Sequence, residues 1–159
     1  MEKSVVAVSG GFDPLHFGHT DHLDEAMKLG NALIVILTRD DQLKAKDLAS
    51  DRPLGKPFLT YEERAYLLNW GLRGKIKYYE VVPNIDKDIT SCDSLRAYKP
   101  NIFAKGGDSW NMKSLPEYEV CKELGIQIVF GIGGLKKKQG SKILVERAIE
   151  NYNRLTSQK

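Results

Sequence analysis

The sequence predicts an α/β fold built on a parallel sheet. Three observations carry this. Short runs rich in β-branched residues alternate with longer helix-like stretches. The second run, Asn31–Thr38, is almost continuously apolar. Glycines follow the first and fourth runs. A strand covered by helices on both faces loses the polar alternation of a half-exposed strand. Regular alternation of strand and helix points to parallel strands joined by helical crossovers.

Val5–Ser9 reads as the first strand, followed by Asn31–Thr38, Ile76–Val82, Asn101–Ala104 and Ile126–Phe130. Helix-like spacing covers His19–Leu29, Tyr61–Trp70, Ile85–Tyr98, Leu115–Leu124 and Ser141–Tyr152. Arg39–Leu59 reads as a long irregular stretch carrying Lys44, Lys46, Arg52 and Lys56, of the kind that is functional or mobile in a compact domain. Trp70 is expected in the core. Right-handed crossovers leave few topologies, and the order 3-2-1-4-5 is expected. The expected architecture is one Rossmann-like domain over residues 1–159, a five-stranded parallel sheet with helices on both faces. The first strand then ends at Gly10-Gly11, and the fourth at Lys105-Gly106-Gly107-Asp108, side by side at one pocket.

A chain of 159 residues is long enough for a full core. No apolar run reaches membrane-spanning length, and the N-terminus lacks a signal-peptide core, so a cytoplasmic protein that does not bind membranes is expected. The two cysteines, Cys92 and Cys121, are too few for a disulfide framework. A net charge of +3 does not argue for nucleic acid but suits a small anion.

All three histidines fall within seven residues, at His16, His19 and His22. They lie between the first strand and the first helix, where backbone N–H groups and the helix dipole favour an anion. Gly10 and Gly11 allow close approach of a ligand, and Gly18 allows a turn between His16 and His19. Imidazoles donate to phosphate oxygens and can take up charge as it develops at phosphorus. A triphosphate site is therefore expected. A metal site is the rival. Spacing of three can place two ligands on one helix face, but a third at six is rotated away, and no cysteine completes the set. No metal held by protein ligands is expected.

The stretch Gly10-Gly11-Phe12-Asp13-Pro14-Leu15-His16-Phe17-Gly18-His19 resembles the signature of the cytidylyltransferase-like nucleotidyltransferases, His-x-Gly-His after the first strand. Lys44-Ala45-Lys46 resembles that family's Lys-x-Lys pair. Tyr61-Glu62-Glu63-Arg64 resembles its Tyr-Glu-x-Arg helix start, and Lys105-Gly106-Gly107-Asp108 its nucleotide-binding turn. The likeness is strongest to the glycerol-phosphate cytidylyltransferase and heptose-phosphate adenylyltransferase types.

The resemblance implies transfer of a nucleoside monophosphate from ATP or CTP to a small phosphorylated acceptor, with release of pyrophosphate. His16, His19 and Lys46 would be catalytic. Gly10, Gly11, Phe12, Asp13, Gly18, Lys44, Arg64, Lys105, Gly106, Gly107, Asp108 and Ser141 would line the nucleotide and acceptor site. Asp13 would sit near the acceptor or hold a lysine, and Arg64 would support the loop or the phosphates. Mg²⁺ would bind through the nucleotide phosphates, and the protein would be a homodimer. Two alternatives stay open: a nucleotide-binding module without turnover, and adenylyl transfer to a carboxylate. One departure stands out. Where the family carries Ile-Ser-Ser/Thr-Thr before the last helix, this chain reads Gly133 to Ile143 with the run Lys136-Lys137-Lys138, and only Ser141 can stand in for the hydroxyl that caps the helix.

Overall fold

A computed structural model describes residues 4–106, 114–133 and 140–157. Five strands, β1 (Val5–Gly10), β2 (Ala32–Leu37), β3 (Tyr78–Pro83), β4 (Ile102–Gly106) and β5 (Gln127–Ile132), form one sheet in the order β3-β2-β1-β4-β5. Every pairing is parallel. The expected Rossmann-like topology is the one observed.

The pleat explains why both faces are apolar. Val6, Val8, Leu33, Val35 and Leu37 point to one face, where Leu23 and Ala26 of α1 (Phe17–Ala26) and Leu68 and Leu72 of α3 (Tyr61–Leu72) cover them. Ala7, Ile36 and Phe103 point to the other. There they meet Leu95 of α4 (Cys92–Tyr98) and Val120 and Cys121 of α5 (Tyr118–Leu124). Each valine, leucine, isoleucine and phenylalanine among them withdraws apolar surface worth roughly 1.5–3 kcal/mol. A capping box starts α3: Glu63 N donates to Thr60 Oγ1 at 3.3 Å, and Thr60 N to Glu63 Oε2 at 2.8 Å.

The structure corrects two of the expected elements and the placement of Trp70. The first half of Arg39–Leu59 is a helix, α2 (Asp40–Leu48), so Lys44 and Lys46 are exposed helix residues rather than loop residues. Its buried face is Gln42, Leu43 and Asp47, mostly polar, which hides it from any reading of apolar periodicity. The expected helix from Ile85 begins only at Cys92. Residues 84–91 instead fold around Asp86, whose carboxylate accepts from Thr90 Oγ1, Asp93 N, Ser94 N and Ser94 Oγ. Ile85 and Ile89, within the stretch expected to be helical, are 47% and 58% exposed. Trp70 is 67% exposed and lies outside the core, because Leu68 and Leu72 take the inward positions of α3.

β1 and β4 pair through Val6–Ile102 and Ala7–Phe103. They are the strands at which the chain order reverses, and in such sheets ligands bind outside the carboxyl ends at this switch point. The final helix, α6 (Ser141–Thr156), has no fully buried residue and meets this end of the sheet through its first turn.

Candidate active site

The histidine pair is built by one turn of helix. His16 is the N-cap of α1, in extended backbone, and its carbonyl accepts from His19 N at 2.8 Å and Thr20 N at 3.1 Å. Residues three apart across a helix start lie over one another. The two imidazoles accordingly stack, centroids 3.7 Å apart and planes 16° from parallel, with both Nδ1 atoms buried. Phe12 supports them from below, with its ring tilted against His19 at 4.9 Å. Phe12 takes a left-handed φ of 48°, which costs a non-glycine residue energy and turns this ring into the core. What Phe12 offers a ligand is therefore its backbone. Gly18 lies inside the first turn of α1 and makes no turn of its own, contrary to expectation.

Gly11 is needed for a reason internal to the fold. A Cβ there would lie 2.7 Å from Leu43 Cδ2, so α2 packs directly on this backbone. Asp13 is buried, and its carboxylate accepts from Phe58 N and Leu59 N at 2.9 Å each. Its carbonyl receives Lys56 Nζ at 3.0 Å and Ser141 Oγ at 2.8 Å. Ser141 is thus not the cap of α6, which is Gly140, but a strap from α6 to the loop.

Arg64 stands beneath the loop, not on it. Its guanidinium donates to the carbonyls of Leu59 (3.1 Å), Gly11 (2.7 Å) and Thr38 (2.8 Å), and pairs with Asp40 at 2.6 Å. The bond to Gly11 fastens Arg64 to the backbone of the histidine loop. Lys105 and Gly106 close β4. Gly107, Asp108 and Lys136–Lys138 lie outside the described residues. Among the described residues, no group of three or more His, Cys, Asp or Glu side chains is arranged to hold a metal ion. None of their helices is long and apolar enough to cross a membrane.

His22 serves the sheet. Its Nδ1 lies 3.2 Å from the carbonyl of Ile132, at the end of β5. Burial holds its pKa below the usual 6.5; the hydrogen bond to Ile132 opposes this, and the charge of Lys105 reinforces it. The unfolded chain then binds this proton more readily than the folded one. Stability from this group is present above pH 6.5 and is lost as the pH falls through the lowered folded value. The urea midpoint of the parent will drop between pH 7.5 and the acid side of this window by more than that of His22→Gln. Equal drops would exclude His22 as the source.

Residues 7–133 match the cytidylyltransferase-like family. The chain belongs to that family, within the nucleotidyltransferase superfamily. It is 31% identical over 125 residues to D-beta-D-heptose 1-phosphate adenylyltransferase of Bordetella bronchiseptica, covering 79% of this chain and 70% of that one. It is 33% identical over 122 residues to the bifunctional protein HldE of Nitratiruptor, covering 77% of this chain but only 24% of that protein. The chain therefore spans about a quarter of the bifunctional relative. Among solved structures, a lipopolysaccharide core biosynthesis protein from Thermoplasma volcanium superposes with a TM-score of 0.59 at 24% identity. The alignment covers 81% of this chain and 94% of that one, and shows the shared fold.

The residue that sequence reasoning missed is Lys56. It was visible only as one of several cations between Arg39 and Leu59, and nothing in composition distinguishes the one that folds back onto Asp13.

Proposed function

We propose that this chain is a nucleotidyltransferase that joins the nucleoside monophosphate of ATP or CTP to a small phosphorylated acceptor and releases pyrophosphate. The acceptor classes are sugar, polyol and amino-alcohol phosphates. The observation that carries the reading is the stacked His16–His19 pair at the N-terminus of α1, outside the carboxyl end of β1, in a chain of this family. The relative named as a heptose 1-phosphate adenylyltransferase supports ATP and a sugar phosphate as the first pair to try.

An acceptor phosphate oxygen is already anionic at neutral pH, so no strong base is required. It attacks the α-phosphorus in line, the bond from α-phosphorus to the bridging oxygen breaks, and pyrophosphate departs with the electron pair. The protein's part is positioning and neutralisation of charge. His16, His19 and the first N–H groups of α1 receive the triphosphate. Lys46 meets the reacting phosphorus and Lys44 the acceptor phosphate. Lys105, Gly106, Gly107 and Asp108 line base and ribose. The donors at the histidine loop are imidazole and backbone N–H, which suit an anion better than a hard, oxygen-preferring cation. Mg²⁺ fits here as an ion carried by the nucleotide phosphates, where it supplies further neutralising charge. The functional unit in this reading is a cytoplasmic homodimer.

A screen of ATP and CTP against phosphorylated sugars, polyols and amino-alcohols, read as pyrophosphate, tests the proposal. Acceptor-dependent release with one nucleotide is expected. Nucleotide binding by calorimetry without pyrophosphate from any acceptor would make the chain a binding module instead.

A further inference from the structure

Three segments far apart in the chain converge on one carbonyl oxygen. Lys56 Nζ donates to Asp13 O at 3.0 Å and to Ser141 Oγ at 2.9 Å, and Ser141 Oγ donates to Asp13 O at 2.8 Å. The pairs are separated in sequence by 43, 85 and 128 residues. The carbonyl belongs to the loop that ends three residues later at His16, and Ser141 is the first residue of α6.

The backbone of Lys56 is held from both sides. Asp47 accepts from Leu54 N, Gly55 N and Lys56 N, at 2.8–3.1 Å. Beyond it, Phe58 N and Leu59 N bind the Asp13 carboxylate. The turn is thus pinned to α2 at one end and to the histidine loop at the other. Its half-buried ammonium is delivered to a fixed point. Placing a cation there costs desolvation that a neutral hydroxyl alone would avoid, since Ser141 already reaches Asp13 O unaided. A charge-assisted contact is stronger and shorter-ranged in its tolerance than a neutral one. This is the arrangement needed to hold a loop in register rather than merely to satisfy a carbonyl.

We propose that Lys56 is a positioning residue that ties the histidine loop to the start of α6, and that the alignment of His16 and His19 for transfer depends on this tie. The second half rests on the nucleotidyl-transfer reading above. The first half does not.

The test uses the full chain with Lys56→Met, Lys56→Arg, Ser141→Ala and the Lys56→Met/Ser141→Ala double variant. Amide hydrogen exchange without ligand reads the tie. Lys56→Met is expected to speed exchange roughly tenfold in both 14–20 and 141–146, with Lys56→Arg close to the parent. The double variant is expected to exceed Lys56→Met by less than the effect of Ser141→Ala alone, because both remove one linked contact. In turnover, Lys56→Met should lower kcat roughly tenfold with the nucleotide KM within about twofold, the mark of lost alignment rather than lost binding. A rise in exchange confined to one segment, additive singles, or unchanged kcat in an active parent overturns the proposal. If the parent itself transfers no nucleotide, the functional reading fails separately, and the exchange comparison alone upholds or overturns the tie.

Discussion

Replacing His16 or His19 by alanine will lower kcat roughly a hundredfold, about 2.7 kcal/mol of transition-state stabilisation. Each ring sits at the N-terminus of α1; in the proposed reaction charge accumulates there on the transferring phosphoryl group, and each substitution removes a donor to that charge. The stack adds a second expectation. With centroids 3.7 Å apart, each ring forms one wall of the other's pocket, so deleting either also loosens its neighbour. The double variant should therefore lose much less than the product of the two single losses. Melting temperatures should move by only a few degrees, because both rings are half-buried at a helix start rather than part of the core. Steady-state kinetics with the acceptor found by the pyrophosphate screen decides the matter. Near-native turnover in either single variant would remove that histidine from the chemistry.

The sheet order was legible because a strand buried on both faces leaves an unmistakable trace. Asn31–Thr38 holds almost no polar residue, and β2 inside it is sandwiched between α1 and α3 on one side and α4 and α5 on the other. The histidine pair was legible for a local reason: a spacing of three at a helix start brings rings together whatever the rest of the fold does. The two misread elements share one physical cause. Apolar periodicity reports only elements whose buried face is apolar. α2 buries Gln42 and Asp47, which serve the turns at 84–88 and 54–56 through hydrogen bonds. Residues 84–91 are organised by the carboxylate of Asp86 and leave two isoleucines in solvent. Lys56 and Arg64 make the same point for single residues. Most of their partners are backbone carbonyls, which carry no signature in the side-chain sequence, so only the fold reveals that Lys56 turns inward and what Arg64 holds.

Arg64 is the residue whose loss should cost the fold most. It is 1% exposed, yet it carries a full charge on α3. Its cost of burial is offset by four partners: the carbonyls of Leu59, Gly11 and Thr38, and the carboxylate of Asp40. Gly11 follows the end of β1 and Thr38 the end of β2, while Leu59 leads into α3 and Asp40 opens α2. One guanidinium thus joins both strand ends to the two helices that follow, directly under the histidine loop. Arg64→Met fills similar volume but leaves these acceptors without their donor. Breaking such a buried arrangement by removing one member costs about 3–5 kcal/mol, which for a chain of this length lowers the melting temperature by roughly ten degrees. Arg64→Lys should recover little of this. An ammonium has three donors on a flexible stem, whereas the four contacts here use the planar fork of a guanidinium. Arg73, exposed just beyond the end of the same helix, is the control: Arg73→Met should stay within about 0.5 kcal/mol of the parent. Urea midpoints for the three variants measure the difference. A midpoint for Arg64→Met within error of the control would mean that the strand ends and the loop are held by other contacts, and that the buried guanidinium is incidental to the site.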